Sequence, residues 1–426
     1  MPMTSAATRP ADPLGWCTAI CGAFLVLALH RIDVPSQPYF DEVHYLPAAR
    51  GLLDGTEWLN REHPPLGKVL IALGMASLGD GPMGWRLPSA LAAALALFAA
   101  MRALWFASER RFAALALGTL LASGGFLYVQ ARIAMLDGFM VAFVMVALWQ
   151  LAAAVRAPET GRWRLVIAGV ALGLALASKW NAVAIVALPG LAFLGARLSA
   201  GRRRLLTSRR GIPVPGVSLL EAAIWLGALP LLTYWACFIP FAMITGEPIG
   251  PAQFIDLHKQ ISDLQQSVKG PHPYQSTWGE WLLNIRPIWY FYDWSDGALR
   301  GVLLLGNPFT MLAGLPALVW CVWAGWRDRR WDAAAVAVVY LASLALWWIA
   351  PKPVQFYYHY FLPHCLLMAA LALALDAMWA GGRRKAALAA LAISIALFAW
   401  FLPIFSGAPL ASDFAFEQWM WLDSWR

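Results

Sequence analysis

Asp41 and Glu42 stand side by side in "YFDEVHY", and "REHPPLGK" follows with His63 and Lys68. A carboxylate held at the edge of an apolar stretch suits a general base, which takes a proton from an attacking hydroxyl. The same two letters also fit a helix-capping pair or a charged surface patch. Two prolines after His63 stiffen the backbone and favour extended geometry before them, a way of holding a loop rigidly against a membrane face. Asp41, Glu42 and His44 could in principle ligate a divalent ion, but no metal is indicated.

A second group is cationic. Arg86 lies in "GWRLPSA", Arg132 in "QARIAMLDG", Arg286 in "NIRPIWYFYDW" and Lys352 in "APKPVQFYYHY", which also carries Tyr358 and His359. Guanidinium groups take phosphate oxygens in bidentate fashion, so these residues point to an anionic head group such as a lipid-linked phosphate. Positioning at the membrane interface is the competing account for each residue taken singly. Asp137, five residues after Arg132, fits a buried pair with that arginine as well as a catalytic duty. The segment "YQSTWGEWLLNIRPIWYFYDW", with Tyr290 inside it, is dense in aromatics; it suits either anchoring or the stacking of an isoprenoid chain or sugar face.

The elements that must position these groups are membrane helices. The chain has 426 residues, 60% hydrophobic and 13% charged, and its apolar residues fall in runs long enough to cross a bilayer. Leu- and Ala-rich runs without strand alternation argue for helices rather than a barrel. Spans are expected near 14–31, 85–106, 111–131, 133–155, 162–178, 180–197, 218–240, 301–324, 332–350, 358–379 and 386–405. The first is read as retained rather than as a cleaved signal. "LGKVLIALGMASLG" is too short to cross and is read as a surface or re-entrant helix. The five cysteines all sit inside apolar runs without metal-ligand spacing.

Eleven spans put the termini on opposite sides. Short basic connections, among them Arg110 and Arg111, Arg156 to Arg164, the run 202–210, 327–330 and 383–385, mark one side as cytoplasmic. The N-terminus then lies inside. The alternate set, led by long segments at 32–84 and 241–300, lies outside and gathers Asp41, Glu42, His63, Lys68, Arg86, Arg132, Lys179, Lys352 and His359 on one face. Net charge of +8 follows from this distribution and does not call for nucleic acid.

No Gly-rich phosphate loop, nucleophile elbow or zinc signature occurs, so an ATP-driven pump is not indicated. A flippase or transporter would call for inverted repeats and polar groups near the midplane, whereas the polar groups here cluster at helix ends.

These segments, with "ASKWNA" at 177–182, "HPYQSTWGEWLLNIRPIWYFY" at 272–292, "GNPF" at 306–309 and "FYYHYFLPHCL" at 356–366, resemble the protein O-mannosyltransferase family. Those are membrane glycosyltransferases of the GT-C class that use a polyprenyl-phosphate sugar. The resemblance runs in order along nearly the whole chain and implies one all-α polytopic GT-C domain over 1–426. It implies Asp41 as catalytic base with Glu42 shaping the site, Arg86 near the carrier phosphate, and Lys68, Arg286 and the Tyr358–Tyr360 segment around them. It implies inverting transfer to an acceptor hydroxyl with polyprenyl phosphate leaving, mannose as the first sugar and no cofactor. Eukaryotic members insert a β-trefoil domain between the seventh and eighth spans, where this chain has only the 241–300 segment, with "FIDLHKQISDLQQS" as a surface helix. That fits a bacterial inner-membrane relative with a periplasmic site. It leaves protein Ser/Thr hydroxyls and a lipid or glycan open as acceptors, since the lipid A aminoarabinose transferases share the GT-C plan.

Overall fold

The computed structural model describes residues 10–201, 204–267, 270, 272–350 and 352–426. Arg202 and Arg203 of the basic run, and Pro351 of the "APKPV" segment, lie outside the described residues. The helices run α1 Leu14–Leu29, α2 Glu42–Asp54, α3 Leu66–Leu78, α4 Pro82–Ser108, α5 Arg111–Ala122, α6 Gly125–Gln130, α7 Leu136–Arg156, α8 Gly161–Ser178 and α9 Val183–Ser199. They continue as α10 Leu219–Ala223, α11 Leu229–Ala236, α12 Ile239–Thr245, α13 Pro251–Ser267, α14 Trp278–Leu282, α15 Pro308–Arg327, α16 Trp331–Ile349, α17 Phe361–Ala380 and α18 Arg384–Ser406. A π turn, Ile224–Ala228, joins α10 to α11, so Leu219–Thr245 reads as one long apolar rod.

Among the described residues nine helices are long and apolar enough to cross a membrane, and α1 and α5 are shorter apolar helices. Each of the expected runs meets a helix, with two differences. The run 111–131 breaks at Ser123–Gly124, between α5 and α6. The break is held by polar contacts in the bundle interior: Ser123 Oγ lies 2.7 Å from Ser394 Oγ, and Asn307 Nδ2 donates to Ser394 O at 2.9 Å. Such partners take up the backbone and side-chain groups that a helix end exposes.

The second difference is a β-hairpin in a chain expected to be all helix. Strands β1 Ile288–Ser295 and β2 Ala298–Leu304 pair antiparallel, so the run expected as a span from 301 begins in a strand and becomes helical only at Pro308. Asp296 and Gly297 form the turn, both with positive φ, as a two-residue Asp-Gly hairpin turn requires. Arg300 locks it by donating to the carbonyls of Ser295 and Asp296 and to Gly407 O, and Leu410 N donates to Leu299 O.

Helix α17 is the bundle's most enclosed span, and the core extends from it through α7, α4 and α5. Surface helix α3 docks on α4 through glycine. A Cβ on Gly74 would sit 2.3 Å from Gly84 O, so only a residue without a side chain permits the approach. Helix α13 turns Leu257 and Ile261 inward and is mostly polar elsewhere, which accounts for its lying on the surface.

The helices alternate in direction. Helices α4, α7, α9, α15 and α17 begin, and α8, α12, α16 and α18 end, on the side carrying the 30–65 segment. Their opposite ends carry the arginine pairs Arg110–Asp376, Arg156–Glu109 and Arg162–Glu221.

Candidate active site

The site is built first by fixing the segment that leaves α1. Helix α1 ends in carbonyls without intrahelical partners. Arg132 takes one of them, Ala28 O at 2.8 Å, together with His30 O at 2.6 Å and Arg31 O at 2.7 Å just beyond the helix, and reaches Ser406 O of α18 at 3.3 Å. The pair of Arg132 with Asp137, one of the two readings open for that acid, is not formed: backbone carbonyls occupy the guanidinium and Asp137 pairs with Lys179.

Glu42 and Arg86 hold the next stretch. Arg86 Nε and Nη2 donate to the two Glu42 oxygens at 2.8 and 2.9 Å, and the remaining donors reach Ile32 O, Pro35 O and Gln37 O. A guanidinium has five N–H groups, and all five are used. Glu42 also accepts from Ala134 N at 2.9 Å and Tyr39 N at 3.2 Å. Both side chains have no exposure. Arg86 spends its donors on Glu42 and three carbonyls rather than facing open space, and Glu42 shapes the site from within; the pair ties α2, α4, the 32–39 segment and the residues before α7 into one block.

Asp41, fixed by its neighbour, is free for other work. It stands at the N-cap position of α2 yet makes no capping hydrogen bond, and it is only half-buried. Tyr45 Oη donates to its Oδ2 at 3.2 Å. Burial pushes the Asp41 carboxyl up from its ordinary range, and the Lys179 charge works against that shift.

Lys179, just after α8, pairs with Asp137 of α7 at 2.7 Å, and both are buried. Its ammonium lies 4.8 Å from the Tyr358 ring centre. Tyr358 packs against Phe40 at 5.9 Å, and Phe40 stacks on Tyr290 at 4.2 Å. Gln130 Nε2 donates to Tyr290 Oη at 3.0 Å. The hairpin thus delivers Tyr290 beside the residue that precedes Asp41, a placement that needs β1.

Lys352 and His359 complete the cluster. Phe356 N donates to His359 Nδ1 at 3.0 Å, so the neutral ring carries its proton on Nε2 by the logic of the network. Lys352 Nζ faces that Nε2 at 3.4 Å. Two donors therefore stand 3.4 Å apart, and an anion beside them would supply the acceptor that neither offers the other. Burial, and after it the charge of Lys179, pushes the Lys352 ammonium down to about 8. His359 is steadied by stacking on Trp347 at 4.1 Å.

His63 and Lys68 are brought close but serve the scaffold. Lys68 Nζ donates to the carbonyls of Asn60 and His63, lies 5.7 Å from the Trp58 ring centre, and so clamps the Pro-Pro loop. The His63 ring meets Tyr45 edge-on at 6.0 Å. Burial and the nearby lysines hold its imidazole well below the usual range, and thus neutral. Arg286 donates to Pro273 O in the segment leading to the hairpin. Among the described residues no group of three or more His, Cys, Asp or Glu converges as a metal site would.

Tyr45, Phe40 and Gln130 join the cluster only through the fold, and Asp137 pairs with Lys179 rather than with Arg132. "SKW" after an apolar helix was a usable signal, because a lysine at a buried helix end needs a counter-charge.

The helical bundle is an all-α polytopic membrane fold of the GT-C type. Residues 62–226 match the family model described as dolichyl-phosphate-mannose-protein mannosyltransferase, and residues 251–425 match the C-terminal four-transmembrane region of protein-O-mannosyltransferase. The polyprenol-phosphate-mannose–protein mannosyltransferase of Mycobacterium tuberculosis is 29% identical, covering 97% of this chain and 91% of the relative. The S. cerevisiae protein O-mannosyltransferase Pmt1-Pmt2 complex bound to the sugar donor superposes with a TM-score of 0.81 at 14% identity, covering 98% of this chain and 95% of the other. ArnT from Cupriavidus metallidurans gives 0.58 at 18% identity, over 86% of this chain and 60% of that one. The chain is a bacterial protein-O-mannosyltransferase-like glycosyltransferase dependent on a polyprenyl-phosphate sugar, related distantly to the aminoarabinose transferases.

Proposed function

We propose that the protein transfers mannose from a polyprenyl monophosphate to a Ser or Thr hydroxyl of a polypeptide, with inversion at the anomeric carbon. The site faces the periplasm of a bacterial inner membrane and the N-terminus lies in the cytoplasm. One observation carries the reading: a half-exposed carboxylate, Asp41, shares a buried cluster with the cations Lys179 and Lys352, while its neighbour Glu42 is sequestered.

Asp41 takes the proton of the acceptor hydroxyl. The freed oxygen pair forms the bond to C1 as the bond from C1 to the phosphate oxygen breaks, and the phosphate leaves with that electron pair. Lys352, the Nε2–H of His359 and Lys179 stabilise the departing anion, which is where charge grows in the transition state. Tyr358, Tyr290 and Phe40 supply an aromatic wall for the sugar face. The energy resides in the sugar–phosphate bond, and the similarity to polyprenol-phosphate-mannose–protein mannosyltransferases makes mannose and protein the first choices.

Purified protein and membranes incubated with a panel of labelled polyprenyl-phosphate sugars test this. Label from the mannose donor that resists solvent extraction and is released by protease supports the proposal. Label only in solvent-extractable material would replace the acceptor by a lipid or glycan, and transfer from a nucleotide sugar without lipid carrier would overturn the donor.

A further inference from the structure

An aspartate at a helix N-cap ordinarily turns its carboxylate onto the free N–H groups of the first turn. Asp41 does not, although it occupies that position in α2. Its Oδ2 instead accepts from the phenol of Tyr45, one turn further along the same helix. Residues four apart lie on one helix face, so the spacing suits the contact.

Tyr45 is itself fixed. It is 2% exposed, and its ring meets the edge of His63, whose carbonyl is held by Lys68. The Pro-Pro loop thereby reaches the carboxylate through a chain of named contacts: Lys68 to His63, His63 to Tyr45, Tyr45 to Asp41. Burial and the Asp41 charge keep the phenol protonated, hence a donor. The charged and titratable groups that face Asp41 are Lys179, Asp137, His44, Lys352, Tyr290 and Tyr358, from the elements packed around it.

We infer that Tyr45 is the positioning residue of the base: its O–H fixes one Asp41 oxygen and turns the other towards the acceptor hydroxyl. The inference rests on the assignment of Asp41 as base made above. It gives "HPPLGK" a purpose other than substrate contact, since the loop braces the residue that aims the carboxylate.

Tyr45→Phe keeps the ring and removes only the donor. The expected result is a fall in kcat of about tenfold with donor KM within about twofold of the parent, because the change touches the base and not the anion site. The hydrogen bond favours the ionised carboxylate, so its loss makes Asp41 harder to ionise, and the acidic limb of the kcat profile moves to higher pH. A ring that merely fills space would leave both kcat and the limb in place, and that result overturns the inference. Donor binding to detergent-purified Tyr45→Phe checks that the protein is folded. Asp41→Asn run in parallel separates the two levels: if it is inactive while Tyr45→Phe is indistinguishable from the parent, the inference alone falls. If Asp41→Asn transfers normally, the base assignment beneath it falls.

Discussion

Glu42 and Arg86 form a bidentate ion pair with both side chains fully buried, Nε to Oε1 at 2.8 Å and Nη2 to Oε2 at 2.9 Å. The adjacent acids of "DE" therefore do different jobs. Removing one partner leaves the other charge buried and alone, which costs about 3–5 kcal/mol. Glu42→Gln and Arg86→Met are each expected to lower the folded yield and the unfolding temperature in detergent. Donor affinity per folded molecule should stay within a few-fold of the parent; a large specific loss of donor binding in a stable Arg86 variant would favour the phosphate role that the family resemblance implies.

Asp41→Asn preserves shape and deletes the base. Transfer is expected to fall by about 100-fold or more while donor binding persists. Single-turnover transfer from preloaded donor reads the chemical step directly, and normal turnover there would exclude Asp41.

Lys352, with its ammonium pushed down to about 8, gives donor binding a pH dependence of predictable sign. The cation is present below that value and lost above it, so affinity for the phosphate falls as pH rises through about 8. Lys352→Arg stays charged and should flatten the curve, whereas Lys352→Met should bind weakly across the range. A donor titration between pH 6.5 and 9.5 that is flat for the parent protein would contradict this.

The buried pair Asp137–Lys179 permits a double-mutant test. Lys179→Met alone strands Asp137 and should destabilise by about 3–5 kcal/mol. Adding Asp137→Leu removes the stranded charge, so stability should recover while transfer stays low, because the cation beside Asp41 is gone. Full recovery of transfer in the double variant would confine the pair to a structural role.

Sidedness is open to labelling. Cysteines placed at Gly55 and Gln266 should react with an impermeant maleimide in intact cells, and one at Ser208 should not. The reverse pattern would place the Asp41 cluster on the cytoplasmic face.

The apolar runs were legible because bilayer thickness imposes a length and an all-apolar composition that single residues cannot hide. Each run met a helix in this structure, from Leu14–Leu29 to Arg384–Ser406. Asp41, the proposed base, stands out in the sequence for a like reason, since an acid beside a membrane-grade segment is costly to keep without purpose. The hairpin is written in "WSDGAL", but its strands fall where an aromatic loop runs into an apolar span, so the Asp-Gly turn does not stand out from its surroundings.

What the letters could not decide was which charge meets which. Arg86, Arg132 and Lys352 are alike in sequence, each a cation near a helix end. Only the tertiary structure separates them. Arg86 is filled by Glu42 and three carbonyls, Arg132 caps α1, and Lys352 faces another donor. The physical reason is that composition and order fix what each segment must bury, whereas pairing in a low-dielectric interior depends on contacts between residues far apart in the chain, such as Glu42 with Arg86 and Asp137 with Lys179.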